Sequence, residues 1–186
     1  LFALSCAGNA GPVLVDAQWN LTCPSDGLAD CGALAPETCL GDVGQRAIVG
    51  EHGQAACTGD PIVTTCEAVA RPDGMSIVTL EADVGGNFAF ELRGATVDTG
   101  NGTVEPSACN VTIIEDGLPY DIGACGMDPP SIEQPCQLSN VAVEGNEISF
   151  DLQCDSLISS TTGFAFDVSA VGGGPATIRF TNCIGF

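Results

Sequence analysis

Cys109-Asn110-Val111-Thr112-Ile113-Ile114-Glu115 meets an Asp116-Gly117 pair and returns through Leu118, Tyr120 and Ile122 to Cys125. A second such unit follows at once. Cys136 to Glu144 meets Gly145-Asn146 and returns through Ile148, Phe150 and Leu152 to Cys154. Asp-Gly and Gly-Asn pairs favour tight hairpin turns because Gly and Asn tolerate positive φ. If those turns set the register, Cys109 falls almost opposite Cys125 and Cys136 almost opposite Cys154. Each hairpin is then closed by its own disulfide, and the fold is built from disulfide-stapled antiparallel β-structure.

Outward from this stretch the same alternation recurs. Val13, Val15, Ala17, Trp19 and Leu21 alternate with mostly polar neighbours, as in a long half-buried strand. Residues 23–66 break into small residues, prolines and five cysteines, which predicts a loop-rich lobe with short strands near Arg46–Val49 and Ile62–Cys66. Val78, Leu80, Ala82 and Val84 then face one way, with Thr79, Glu81 and Asp83 opposite. Gly85-Gly86 turns the chain into Phe88, Phe90 and Leu92. Phe164, Phe166 and Val168 make another strand, and Gly172-Gly173-Gly174-Pro175 turns it into Ala176, Ile178 and Phe180. The pattern predicts roughly ten strands and little helix, an all-β sandwich of Greek-key or jelly-roll type. Residues 11–186 read as a single domain with the cysteine lobe at 23–66, and residues 1–10 as an apolar N-terminal strand or extension.

The 186 residues carry 24 acidic side chains against four arginines and no lysine, a formal net charge of -20. Nucleic acid, whose phosphates need a cationic face, is excluded as a partner, and so are anionic membrane surfaces. Leu1-Phe2-Ala3-Leu4-Ser5-Cys6 is apolar but too short to cross a bilayer, and no transmembrane segment follows. Eleven cysteines, none in a Cys-x-x-Cys spacing, beside a single histidine make zinc ligation a poor fit and an oxidising compartment the natural one. Three Asn-x-Ser/Thr sequons, at Asn20, Asn101 and Asn110, are compatible with secretion. With the two hairpin pairs assigned, Cys31–Cys39 and Cys57–Cys66 are local loop closures and Cys23–Cys183 joins the first long strand to the last. Cys6 is then left over, although only the odd total is firm without a structure.

Few residues carry chemistry. Asp98-Thr99-Gly100 resembles the catalytic tripeptide of aspartic proteases, but there is one copy where two aspartates must share a proton. Asp-Thr-Gly-Asn-Gly is also ordinary turn chemistry. Asp98, Asn101 and Glu105 are candidate oxygen ligands for calcium, as are Asp83 and Asn87, though no EF-hand spacing is present. His52, in Glu51-His52-Gly53, has no nucleophile motif to serve and reads as a surface-loop residue. Trp19, Tyr120 and the phenylalanines form either a core or a sugar-stacking platform.

The cysteine-rich, lysine-free, Asp/Gly-rich β pattern behind a lipobox-like Leu4-Ser5-Cys6 resembles predicted surface lipoproteins and other cysteine-rich secreted β-proteins of bacteria. That resemblance implies an extracellular or cell-surface location, with Cys6 as the residue to be acylated. The residues themselves favour a non-enzymatic structural subunit that assembles with copies of itself into a surface filament or similar polymer. In that expectation Leu1, Phe2, Ala3, Leu4 and Cys6 form the subunit contact, with no cofactor. The alternative is a monomeric secreted or surface-anchored domain that binds glycan or calcium through the Asp98–Glu105 loop.

Overall fold

The computed structural model describes residues 11–25, 29–34, 42–105 and 109–186. Every regular element among them is a strand, and no helix is long and apolar enough to cross a membrane. In chain order the strands are β1 (Leu14–Thr22), β2 (Gln45–Glu51), β3 (Ile62–Ala70), β4 (Ser76–Val84) and β5 (Phe88–Asp98). Next come β6 (Thr103–Val104), β7 (Cys109–Glu115), β8 (Leu118–Tyr120) and β9 (Ala124–Gly126). The last four are β10 (Cys136–Glu144), β11 (Glu147–Ile158), β12 (Ala165–Ser169) and β13 (Ala176–Thr181).

The all-β, disulfide-stapled class stands. Hydrogen bonding is continuous through one sheet, folded over so that its two halves face each other across a shared core. From β1 the path runs through β13, β11, β10, β9, β7, β5 and β4 to β3, with β2 added on the far side of β1. Among the described strands β9–β10 is the one parallel pairing, and an isolated parallel bridge joins Glu67 to Ile184. β12 and β13 act as one interrupted strand, because both lie between β1 and β11 and run the same way. The Gly172–Gly174 excursion, with φ of 90°, 94° and 81°, separates the two parts. This interruption and the short β6, β8 and β9 account for the excess over ten strands.

Alternation decides which face is buried. Val78, Leu80, Ala82 and Val84 of β4 point inward while Thr79, Glu81 and Asp83 are partly exposed. Trp19 of β1 stacks on Phe88 of β5 at 5.3 Å, and Phe90 meets Phe150 of β11 and Phe180 of β13 at 6.3 and 6.4 Å. Strands distant along the sheet thus meet through their aromatics, which is what folding the sheet over requires. Trp19 and Tyr120 are buried, so neither offers a ring face to a sugar. β2 pairs with β1 along seven residues, so that part of the cysteine lobe belongs to the main sheet.

The hairpin disulfides Cys109–Cys125 and Cys136–Cys154 are present, and their four cysteines stand side by side across β7, β9, β10 and β11. The other expected pairings are corrected. Cys31 joins Cys23, not Cys39, and Cys66 joins Cys183, not Cys57. Cys23 cannot therefore reach Cys183. Local closure holds for Cys23–Cys31, 8 residues apart, but with another partner than expected, whereas Cys66–Cys183 spans 117 residues and is set by how the sheet folds. Cys57 is also disulfide-bonded, so all nine cysteines among the described residues are oxidised, as suits an oxidising environment. Cys6, Cys39 and the expected contact segment Leu1–Leu4 lie outside the described residues.

The Cys66–Cys183 bond sits where the C-terminal segment covers β3. Ala68 N–H donates to the Ile184 carbonyl at 2.8 Å, and Ile184 N–H donates to the Cys66 carbonyl at 3.0 Å. His52 continues the cover: the Thr64 N–H donates to its Nδ1 at 3.1 Å. That bond requires an unprotonated Nδ1, so the ring proton sits on Nε2. Further along, Gly53 N–H donates to the Ile62 carbonyl and Ile62 N–H donates to the Gln54 carbonyl, both at 2.8 Å. Bare strand edges invite pairing with other chains. The single histidine is therefore part of an edge cover, a role its loop-like sequence context did not reveal.

Candidate functional site

The residues singled out for calcium are engaged in local hydrogen bonds and an ion pair. Asp98 closes a turn: its Oδ1 accepts from the N–H groups of Gly100 (2.9 Å) and Asn101 (3.3 Å), and its Oδ2 accepts from Asn101 Nδ2 (2.8 Å). The Gly100 N–H first, and then the Asn101 amide, hold the Asp98 carboxyl below its ordinary range. Glu105 faces Arg71 instead, at 3.3 Å. Among the described residues no group of three or more His, Cys, Asp or Glu side chains is arranged to hold a metal ion. Asp83 likewise spends an oxygen on its own turn, accepting from the Gly86 N–H at 2.9 Å.

The surface offers a different feature, an apolar groove at the end of β11. Its cavity of ≈ 370 Å³ is lined by Ala29, Ile122, Pro130, Ile132, Pro135 and Ile158, with Ser131, Asp155 and Ser156 as the polar members. That volume lies at the small end of the range for ligand pockets, and the apolar lining is typical of them.

Each wall follows from local chemistry. Ile122 is fixed because its N–H donates to the Ile158 carbonyl at 3.0 Å, and it remains half exposed. Asp121 locks the same corner to the next loop, accepting from the Ser160 N–H at 2.9 Å and the Ser160 hydroxyl at 2.8 Å. A Cβ on Gly123 would strike the Val111 carbonyl, so the chain can pass this close only with glycine. The opposite wall is a short turn in which Ser131 N–H donates to the Gln134 carbonyl at 2.9 Å. Pro129, Pro130 and Pro135 stiffen this loop, and it holds Ile132 out with 92% of its surface exposed. A bulge in β11 between Cys154 and Leu157 forms the floor, placing Ser156 at φ 54°. Bulges re-aim side chains in this way beside sites.

Asp121 gives the groove a pH dependence. Burial pushes its carboxyl up, but the Ser160 N–H and hydroxyl outweigh burial and hold it below its ordinary value. A depressed carboxylate contributes stability that is complete above the unfolded value of about 3.9 and is lost as pH falls through the folded value. Urea midpoints of the native chain and of Asp121→Asn are therefore expected to differ at pH 7. The gap should close on acidification below about pH 3.9. A gap that stays constant down to pH 2.5 would show that the carboxylate does not hold this corner.

Comparison of the chain with protein-family models, curated proteins and solved structures finds no match. The groove's own geometry carries the functional reading. Sequence reasoning missed it because Ile122, Ile132 and Ile158 lie on three separate segments. The available signal was Pro129-Pro130-Ser131-Ile132-Glu133-Gln134-Pro135, a lone isoleucine in a rigid polar loop.

Proposed function

We propose that this chain is a non-enzymatic extracellular structural subunit that assembles with copies of itself into a filament or similar polymer, its N-terminal segment docking on a neighbour. The observation that carries this reading is the placement of exit and groove at opposite ends of the domain. The chain enters β1 beside Asn182, whose Nδ2 donates to the Pro12 carbonyl at 2.9 Å. Asn182 in turn accepts from Asn146 Nδ2 at 3.2 Å, at the turn just before β11 begins. The groove lies at the other end of β11. A head-to-tail contact between two different surfaces does not close on itself and propagates as a filament. The disulfides suit an exterior setting.

Electron microscopy of native, unreduced protein tests this directly. Regular fibres or tubes are the expected result. Dispersed single particles over a thousandfold range of concentration would overturn the subunit reading.

A further inference from the structure

We propose that the groove of Ile122, Ile132 and Ile158 receives the Leu1-Phe2-Ala3-Leu4 segment of the next copy of the chain; this rests on the subunit reading above and names its joint. Three observations select that occupant. The first is chemistry. Residues 1–15 carry no charge, and the groove lining carries only Asp155. Two bodies of formal charge -20 repel, so a joint between an uncharged apolar segment and a mostly apolar groove with one carboxylate is a contact that opposes approach little.

The second is direction. β1 runs toward the groove end, because Thr22 pairs with Asp167 and the Asp167 Oδ1 accepts from the N–H of the groove residue Ser156 at 2.8 Å. The backbone upstream of Leu14 is therefore aimed away from its own groove.

The third is reach. From the Glu147 end of β11, where Pro12 is tethered, to Ile158 is a strand of 12 residues, or roughly 35 Å at about 3.3 Å per step. Leu4 stands seven residues before Gly11 and is limited to about 25 Å from it, even fully extended. Leu4 thus falls short of Ile158 of its own chain, and Leu1, at most about 36 Å from Gly11, could touch it only with every intervening residue fully extended. Stacking a second copy end to end brings the same segment to the groove with no such stretch. Insertion of apolar side chains into a pocket beside strand backbone is a recurrent mode of peptide recognition.

The test is a photo-cross-link in the assembled polymer. A copy carrying p-benzoylphenylalanine at Phe2 is mixed with an equal amount of ¹⁵N-labelled chain lacking the probe, irradiated, digested and read by mass spectrometry. The expected product joins the probe peptide to peptides holding Ile122, Ile132 or Ile158, with label on the groove side in about half of the pairs. Products confined to unlabelled groove peptides would mean the segment folds back on its own domain and would overturn the proposal. Polymer that forms but cross-links at another surface would sink this joint and leave the subunit reading standing. Absence of polymer would sink both. Ile132→Glu gives an independent measure, since this exposed side chain is not needed for the fold. The concentration threshold for assembly is expected to rise at least tenfold, and an unchanged threshold would count against the groove.

Discussion

Glu115→Gln is expected to destabilise the protein by about 3–5 kcal/mol, the cost of leaving one partner of a buried ion pair uncompensated. Arg46 of β2 meets Glu115 of β7 through both ends of its guanidinium: Nε donates to Oε2 at 2.8 Å, and a terminal nitrogen donates to Oε1. The side chains are 5% and 6% exposed, so water cannot take over for a lost partner. β2 and β7 sit far apart along the sheet and face each other only because the sheet is folded over. The pair therefore reports on closure of the fold, where a surface pair would report on little. In a chain of this length the expected cost lowers Tm by roughly 6–20 °C. Arg46→Lys should also be costly, because an ammonium cannot reproduce the two-pronged contact. Replacing both residues by leucine is expected to recover most of the loss, since desolvation of the pair is removed with its attraction. Urea titrations of the single and double variants form a cycle that measures the coupling. A double variant no better than Glu115→Gln would mean the site needs the charges for another reason.

The second large effect is expected from Cys66→Ser with Cys183→Ser. This bond spans 117 residues of sequence, against 8 for Cys23–Cys31. In the loop-entropy account the long closure contributes about 4.9 kcal/mol and the short one about 2.5 kcal/mol. Removing the long bond also loosens Ile184 from β3 and exposes backbone at a strand edge, so aggregation should rise together with the loss of stability. Urea midpoints of the two double variants, measured without reductant, are expected to fall in that order. If the Cys23–Cys31 deletion proves the more damaging, chain entropy is not what these bonds supply.

Where the sequence was readable, the physics was local. Glu115 pairs with Leu118 across Asp116-Gly117, whose φ values of 51° and 73° are those of a hairpin turn favoured by this dipeptide. Glu144 pairs with Glu147 across Gly145-Asn146, which places Cys136 opposite Cys154 even though a bulge intervenes near Asn140. Alternation likewise located the cores of β1, β4, β5, β12 and β13. What escaped was long-range. The Cys66–Cys183 bond, the Arg46–Glu115 pair and the three walls of the groove all depend on how the sheet folds over. A period-two pattern says which side of a strand is buried but not against which other strand. At Asp98 the turn that makes the loop recognisable also engages the carboxylate.

The opposed placement of chain entry and groove has a mechanical side. Tension applied between the two ends runs along β1, β13 and β11 and not across them. Neighbouring strands are then loaded in shear, and the hydrogen bonds of Leu14–Ala17 to Ile178–Thr181, together with those of Leu14–Asn20 to Gln45–Glu51, must yield together and not one after another. Beside the groove, Cys136–Cys154, 18 positions apart in sequence, bolts β10 to β11 covalently, so stretch cannot spread into the hairpin it encloses. A domain of this size wired in this direction is a stiff link under longitudinal load, and peels easily only when pulled sideways.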